Sequence, residues 1–317
     1  MPIPDLHSLP VLVTGGAGFI GSHLVDALVL RGASVRVLDN LSTGKLDNLR
    51  AAKDRVELLE GDIRDISACR RACEGRALVF HQAALGSVPR SMEDPATAFE
   101  VNVTGTANVL AAARDAKARR VVYASSSSVF GDSEALPKRE GEEGRPLSPY
   151  ALSKWMNEEL GELFTRAFGL ETVGLRYFNV YGPRQDPQGP YAAVVPRFFD
   201  ACARGEAPLI FGDGEQSRDF TFVADAVLAN LLAAGAPSER CGRAYNVGGG
   251  SAATVLEIAR IISEAMGVSA PPTFAKARAG DVKHSLASTA AVEEALGFRA
   301  EVSLEEGLRR TRPGASA

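Results

Sequence analysis

The 317-residue chain is poor in the features that mark several protein classes. It has four cysteines, Cys69, Cys73, Cys202 and Cys241, and none stands in a metal-ligand spacing. Cys69 and Cys73 lie one turn apart in a stretch with helical spacing, so they share a face and read as reduced packing residues. No apolar run approaches the ~20 residues that cross a bilayer. The start, "MPIPDLHSLP", lacks a basic segment followed by an apolar core, so no export signal is expected and a soluble, cytoplasmic protein is. A net charge of −4 gives neither nucleic acid nor an anionic membrane an electrostatic footprint. There is no internal repeat and no low-complexity segment. What is there, 45% hydrophobic and 23% charged residues, is an ordinary globular composition.

The first half alternates short apolar runs with helical spacing. "PVLVTG", "SVRVLDN", "RVELLEGD", "ALVFHQAA", "RRVVYAS" and "ETVGLRYFN" read as strands, with helical stretches between them. One of these helices falls within 92–117 and another covers "YALSKWMNEELGELFTRAFG". Such alternation implies right-handed βαβ crossovers and an α/β fold: a doubly wound, Rossmann-type parallel sheet with helices on both faces. After Asn179 the rhythm changes, and "VYGPRQDPQGPYAAVVP" reads as an ordered loop. Shorter elements follow, among them "APLIFGDG", "RAYNVGGG" and helices near 224–234 and 254–266. We expect a dinucleotide-binding domain over 1–178, rejoined by segments near 221–250, and a smaller interleaved C-terminal lobe over 179–317.

"VTGGAGFIGSH" places Gly15, Gly18 and Gly21 directly after a strand and at the opening of a helix. Glycine there allows a tight turn and close approach of backbone to a pyrophosphate, and the helix N-terminus offers N–H donors. Glycine patterns also arise in plain turns, so the acid matters. Asp39 ends the second strand, 18 residues beyond Gly21, where a carboxylate accepts hydrogen bonds from an adenosine ribose. It would repel a 2′-phosphate, and Asn40 to Thr43 contains no arginine to reverse that choice, so NAD is expected over NADP. Asp62 ends the third strand; it fits a place beside adenine, and equally a helix N-cap.

In "YASSSSVFGD" four serines, Ser125 to Ser128, follow a buried-looking strand. A serine run is often a linker, but strand ends of an open parallel sheet are where ligands bind. "YALSK" sets Tyr150 and Lys154 at i and i+4 on one helix face. That spacing suits a surface pair. It also suits a tyrosine base, whose ordinary pKa near ~10 must be lowered by a neighbouring ammonium. One βα crossover should bring Ser126 and Tyr150 to the same sheet edge.

Taken together, the glycines, the acid after strand two, the serine run and Tyr-x-x-x-Lys resemble the extended short-chain dehydrogenase/reductase superfamily over nearly the whole chain. "RYFNVYGPRQDP", "SRDFTFV", "AYNVGGG" and "RAGDV" resemble its nucleotide-sugar 4-epimerases. The resemblance implies that Ser126 and Tyr150 grip the sugar O4, with Tyr150 as base. It implies that Lys154 holds the nicotinamide ribose and lowers the Tyr150 pKa. Phe19, Ile20, Asn40, Ser42, Thr43, Gly44, Ile63, Gln82, Ala83, Ala84 and Tyr177 join the cofactor set. Asn179 would contact the nucleotide-sugar, Arg218 and Arg278 would clamp its diphosphate, and Asp281 would accept from the uridine ribose. A planar, permanently charged guanidinium suits the clamp. Phe211 is a candidate to stack on uracil, with Val195 also in the substrate set. Without the resemblance each arginine would read as a surface ion pair.

Within the family, dehydratases carry Thr-Asp-Glu and decarboxylases a glutamate where this chain has Ser126, Ser127 and Ser128. No carboxylate is there for elimination, so epimerisation through a 4-keto sugar, with NAD restored each turn, is the expected activity. Gly86 and Ser87, with the loop Pro183 to Pro187, resemble WbpP-type UDP-N-acetylglucosamine 4-epimerases. Ser285 falls at the family's size gate for the C2 substituent. A small gate, with Gly86, Ser87 and Ala193 in the same box, implies preference for UDP-GlcNAc and UDP-GalNAc, with some activity on UDP-Glc and UDP-Gal. A UDP-glucuronate 4-epimerase is the nearest rival, for which Arg90 or Arg184 would meet the C6 carboxylate. A non-catalytic NAD-sensing protein is the rival of another class. His81 and His284 read as local hydrogen-bonding residues, no metal is expected, and the helices near 97–116 and 150–168 are candidates for a homodimer bundle.

Overall fold

The computed structural model describes residues 2–188, 192–276 and 283–314. In chain order the strands are β1 (Pro10–Thr14), β2 (Ser34–Asp39), β3 (Val56–Glu60), β4 (Leu78–His81), β5 (Arg120–Ser126), β6 (Glu171–Tyr177), β7 (Val180–Tyr181), β8 (Leu209–Phe211), β9 (Ser217–Asp219), β10 (Thr221–Phe222), β11 (Arg243–Val247), β12 (Ala252–Thr254), β13 (Thr273–Ala275) and β14 (His284–Ser285). The α-helices are α1 (Phe19–Leu30), α2 (Ile66–Cys73), α3 (Val88–Glu93), α4 (Pro95–Phe99), α5 (Gly105–Asp115), α6 (Pro149–Phe168), α7 (Val194–Ala203), α8 (Val223–Ala234), α9 (Val255–Met266), α10 (Ala290–Leu296) and α11 (Leu304–Thr311).

Seven strands form one parallel sheet in the order β11-β6-β5-β4-β1-β2-β3. The apolar runs seen in the sequence are its central strands; Val11, Val13, Phe80, Val122 and Val173 are buried. Strands covered on both faces need continuous rather than alternating apolar residues, which is why these segments read so clearly. The chain reverses direction of progress between β1 and β4, so their carboxyl ends open a crevice at the switch point. β11 comes from late in the chain and closes the far edge of the sheet. The shorter strands form small sheets, β10-β7, β12-β9-β14 and β13-β8, beside α7, α9 and α11 around an apolar cluster that includes Phe198, Ile258 and Ile262.

Two elements differ from the sequence reading. The segment taken as loop up to Pro196 turns helical at Val194, because proline is tolerated in a first turn and Val195, Phe198, Phe199 and Cys202 then form one buried stripe. The stretch expected as one long helix within 92–117 is α3, α4, a π-helical turn (Glu100–Thr104) and α5. Asp94 restarts the helix by capping Thr97 N, ahead of Pro95. No helix among the described residues is long and apolar enough to cross a membrane.

Candidate active site

A cleft of about 1230 Å³ runs along the carboxyl edge of the sheet. At one end lie Gly15, Gly18, Phe19, Ile20 and Gly21. Gly15 has φ +68, and a Cβ there would stand 2.6 Å from Ala83 N; a Cβ on Gly21 would stand 2.1 Å from Gly15 O. Side chains are excluded at both places, and backbone forms the floor. Gly18 caps α1 without a side-chain partner, so the first-turn N–H groups stay open to the cleft. Asp39, buried at the end of β2, accepts from Ala17 N at 2.9 Å and Leu41 N at 2.8 Å, which locks its carboxylate at the rim. This cradle of backbone donors beside a fixed acid fits a dinucleotide, with Asp39 placed for ribose hydroxyls. Asn40, Ser42, Thr43, Asp62, Ile63, Gln82, Ala83 and Ala84 line the same end.

Asp62 is not a helix cap; Asp65 caps α2 by accepting from Ser67 N. Asp62 instead takes Arg64 Nη2 at 2.8 Å and Asn40 Nδ2 at 2.9 Å, and the Arg64 hydrogen bonds hold its carboxyl down to about 2. Gln82, Tyr177 and Asn230 form a closed ring of hydrogen bonds behind this wall: Gln82 Nε2 donates to Asn230, Asn230 to Tyr177, and Tyr177 to Gln82.

At the other end β5 stops at Ser126, and Ser126, Ser127 and Ser128 form the lip. Ser126 Oγ accepts from Ser128 N at 3.2 Å and from Ser128 Oγ at 3.0 Å, and hydrogen-bonds the Tyr150 phenol. The serine run is therefore an ordered strand end and tight turn. Ser148 caps α6 through Ala151 N, Pro149 occupies the first turn, and Ser91 of α3 accepts from Tyr150 N at 3.0 Å. Lys154 is buried one turn on; its Nζ donates to Ala124 O at 2.8 Å and lies 6.0 Å from the Tyr150 ring centre. Burial pushes the phenol above its ordinary value, with the Ser126 hydrogen bond pulling the other way. The expected lowering of Tyr150 by Lys154 is not found here: burial sets the direction, and the opposing influence comes from Ser126. Burial likewise lowers Lys154, to about 8.

The remaining sugar-end candidates divide. Gly86, Asn179, Arg218 and Ser285 line the cleft, and Ser285 is the register partner of Arg218 across β14 and β9. Asn179 has φ 32 and turns its amide to Asp219 O at 2.9 Å, a conformation asparagine bears better than most residues. Ser87, Gly44, Ala193, Val195 and Phe211 are not part of the described cleft wall. Ser87 caps α3, Val195 is buried in the core beside α9, and Arg197 lies 5.2 Å over the Phe211 ring. Arg278 and Asp281 lie outside the described residues. Arg184 is drawn off to Asp26 at 2.6 Å, which removes it as a carboxylate partner in the cleft, whereas Arg90 lines it. His81 is a local residue: its ring nitrogens meet Thr14 Oγ1 and Thr106 Oγ1, and burial drives it down to about 3.

Two supports were missed in the sequence. Asn102, in the π turn, accepts from Leu85 N and donates to Ser153 Oγ, tying the cleft wall to α6. Glu158 stands one turn past Lys154 and takes Ser125 Oγ and Arg176. The i+4 step from Lys154 was the available signal for Glu158. Lys138, Phe130 and Leu147 also line the sugar end.

Residues 11–248 match the NAD dependent epimerase/dehydratase family, and the chain belongs to that family, with NAD as its cofactor. It is 40% identical to a UDP-glucose 4-epimerase of Mycolicibacterium smegmatis, over 95% of this chain and 96% of the relative. A UDP-N-acetylglucosamine 4-epimerase from Methanobrevibacter ruminantium, solved with UDP-N-acetylmuramic acid, superimposes with a TM-score of 0.91 at 38% identity, covering 96% of this chain and 97% of that one. A Thermus thermophilus UDP-glucose 4-epimerase solved with NAD gives 0.86 at 38% identity, over 96% and 97%.

Proposed function

We propose that the protein is a UDP-hexose 4-epimerase that interconverts UDP-GlcNAc and UDP-GalNAc as well as UDP-Glc and UDP-Gal. Ser285, on the cleft wall beside Arg218, carries this reading: by resemblance to the family it stands at the size gate for the C2 substituent, and a small side chain there leaves room for an N-acetyl group. A roomy pocket does not strongly reject the smaller hexose, so both pairs are substrates.

Bound NAD supplies the reversible acceptor for the hydrogen at C4. The chain does the rest. Tyr150 takes the C4 hydroxyl proton and later returns one, Ser126 holds O4, and Lys154 offers the charge that favours phenolate. Asp39, Asp62 and the glycine floor hold the dinucleotide, while Arg218 meets the diphosphate. Among the described residues the carboxylates lining the cleft are Asp39 and Asp62, both at the nucleotide end. Elimination of water needs a further acid and base at the sugar, and Ser126, Ser127 and Ser128 supply none. Exposed Trp155, Met156 and Leu163 on α6 support a homodimer through this helix; light scattering of the purified protein checks it, and a monomer rejects it.

The test incubates the protein with NAD and, separately, UDP-GlcNAc, UDP-Glc and UDP-GlcA, and resolves the sugar nucleotides by chromatography. UDP-GalNAc and UDP-Gal should both form, and both should form about 10²–10⁴ times more slowly in Tyr150→Phe. UDP-GalA as the main product would replace this reading with a glucuronate epimerase using Arg90. No turnover of any sugar would leave a binding protein.

A further inference from the structure

Behind Lys154 the interior holds a charged cluster that the reaction just described does not use. Arg176 of β6 sends Nε at 2.9 Å and Nη2 at 2.7 Å to the two oxygens of Glu158, and Nη1 to Glu143. Glu158 also accepts Ser125 Oγ at 2.5 Å, and Ser125 is the residue before Ser126 on β5. Arg176, Glu158 and Ser125 are all buried, and the Glu143 side chain is mostly so. Two carboxylates thus share one guanidinium, which leaves one negative charge unbalanced. Lys154 is the buried cation one helical turn away, and with its charge the cluster is neutral. Unbalanced charge in an interior is costly, so the arrangement favours the ammonium.

Resting on the reading of Tyr150 and Lys154 above, we propose that Glu158 is a positioning residue for the epimerisation. Through Ser125 it fixes the end of β5 beneath Ser126, and the charge it shares with Glu143 keeps Lys154 in the ammonium form that a Tyr150 phenolate needs. Two effects act on that lysine in opposite senses: desolvation lowers it, the larger effect, and Glu158 raises it.

The other groups able to carry charge around Lys154 come from each element packed there. β5 brings Tyr123, pushed well up by burial and by Glu158. β4 brings His81, neutral between its two threonines. β6 brings Arg176 and Tyr177, the latter pushed up to about 12. α3 carries Arg90 and Glu93, and the π turn carries Glu100, whose carboxylate pairs outward with Arg64. α6 itself carries Tyr150 and, one turn past Lys154, Glu158. Of these, the carboxylate in the buried cluster next to the lysine is Glu158.

The experiment measures kcat and KM against pH for the NAD-loaded enzyme and its Glu158→Gln variant, with UDP-Glc and UDP-GlcNAc. Glutamine keeps the shape, and its one oxygen can still accept from Ser125 and Arg176 Nε, but it loses the charge and sets an NH2 group where Arg176 Nη2 donated. The alkaline fall of kcat should move about one pH unit or more toward neutrality, so that kcat at mildly alkaline pH drops about tenfold. At lower pH the variant should approach the parent, and KM should change little. A profile superimposable on the parent's, or a loss equal at every pH, would overturn the proposal and leave Glu158 a packing residue. Where Glu158→Gln does not fold, Glu143→Gln decides: the same shift in smaller measure supports the proposal, and none rejects it. Tyr150→Phe is run beside them. Turnover in that variant within about tenfold of the parent's would sink the underlying assignment of the base. An inactive Tyr150→Phe with an unshifted Glu158→Gln sinks this inference alone.

Discussion

Gly15→Ala puts the dinucleotide cradle to a quantitative test. The glycine sits at φ +68, and its missing Cβ would lie 2.6 Å from Ala83 N and 2.7 Å from Ala83 Cα. Ordinary carbon contacts are ~3.5–4.0 Å, so the overlap is about 1 Å. The backbone has little room to retreat, because Gln82 N is tied to Thr14 O at 3.0 Å and Gly15 N to Leu38 O at 2.8 Å. The left-handed backbone costs alanine about 1–2 kcal/mol, and forced overpacking adds about 1–3 kcal/mol. Gly169→Ala separates the two. Gly169 has nearly the same φ, +70, at the C-cap of α6, with nothing within 4 Å of its Cβ position. Urea unfolding followed by circular dichroism should show Gly15→Ala less stable than Gly169→Ala by about 1–3 kcal/mol. Calorimetric titration with NAD should show at least tenfold weaker binding, about 1.4 kcal/mol, for Gly15→Ala alone. Equal stability losses would mean that the β1–β4 crossing is not tight. A stability loss with parent-like NAD affinity would mean that this crossing is not the floor under the cofactor.

Tyr150→Phe should lower kcat by about 10²–10⁴ with NAD binding retained, measured by turnover and titration, as expected for loss of a general base. Asp39→Asn keeps the size but loses the charge, so NADP should begin to compete with NAD; competitive titration that still shows strong NAD preference would remove Asp39 as the selecting group. His81 titrates near its usual 6.5 when unfolded but only at about 3 when folded, because burial keeps it neutral. Its stabilising contribution is therefore complete above pH ~6.5 and is lost toward pH ~3, at about 1.4 kcal/mol per pH unit. Denaturation as a function of pH should be flatter in that window for His81→Gln.

Legibility in the sequence followed the range of the interactions. The parallel sheet could be read because strands covered on both faces are unbroken apolar runs, and each helix between them carries its own period. Gly15, Asp39, Ser126 and Tyr150 could be proposed as one group because each ends a strand or opens a helix on the same sheet edge. α7 was obscured by Pro196, although its apolar residues at 195, 198, 199 and 202 carried a helical stripe. The π turn left no mark in the pattern, since apolar spacing continues through it. The partners of Asn102, Leu85 and Ser153, and of Glu158, Arg176, are distant in sequence or meaningful only after folding. Val195 and Phe211 were placed at the substrate by resemblance alone, and the packing of α7 turns one into core and sets the other beneath Arg197.

The desolvation around Tyr150 bears on why one base suffices. Burial raises the phenol and lowers Lys154 to about 8, while the Ser126 hydrogen bond draws the phenol back. The two shifts move the groups apart from ordinary values near ~10 and ~10.4, the phenol upward and the amine downward, each by destabilising its charged form. Neither group then holds charge comfortably alone, and the phenolate is best sustained as a partner of the ammonium. On the proposed reading, epimerisation asks one tyrosine to take a proton from one C4 alcohol and to return one when its C4 epimer forms, two steps that are each other's reverse at the same atom. Dehydration has no such symmetry and calls for separate acid and base at the sugar. With Asp39 and Asp62 at the nucleotide end and serines at the lip, the carboxylates of the described cleft supply no such second acid at the sugar.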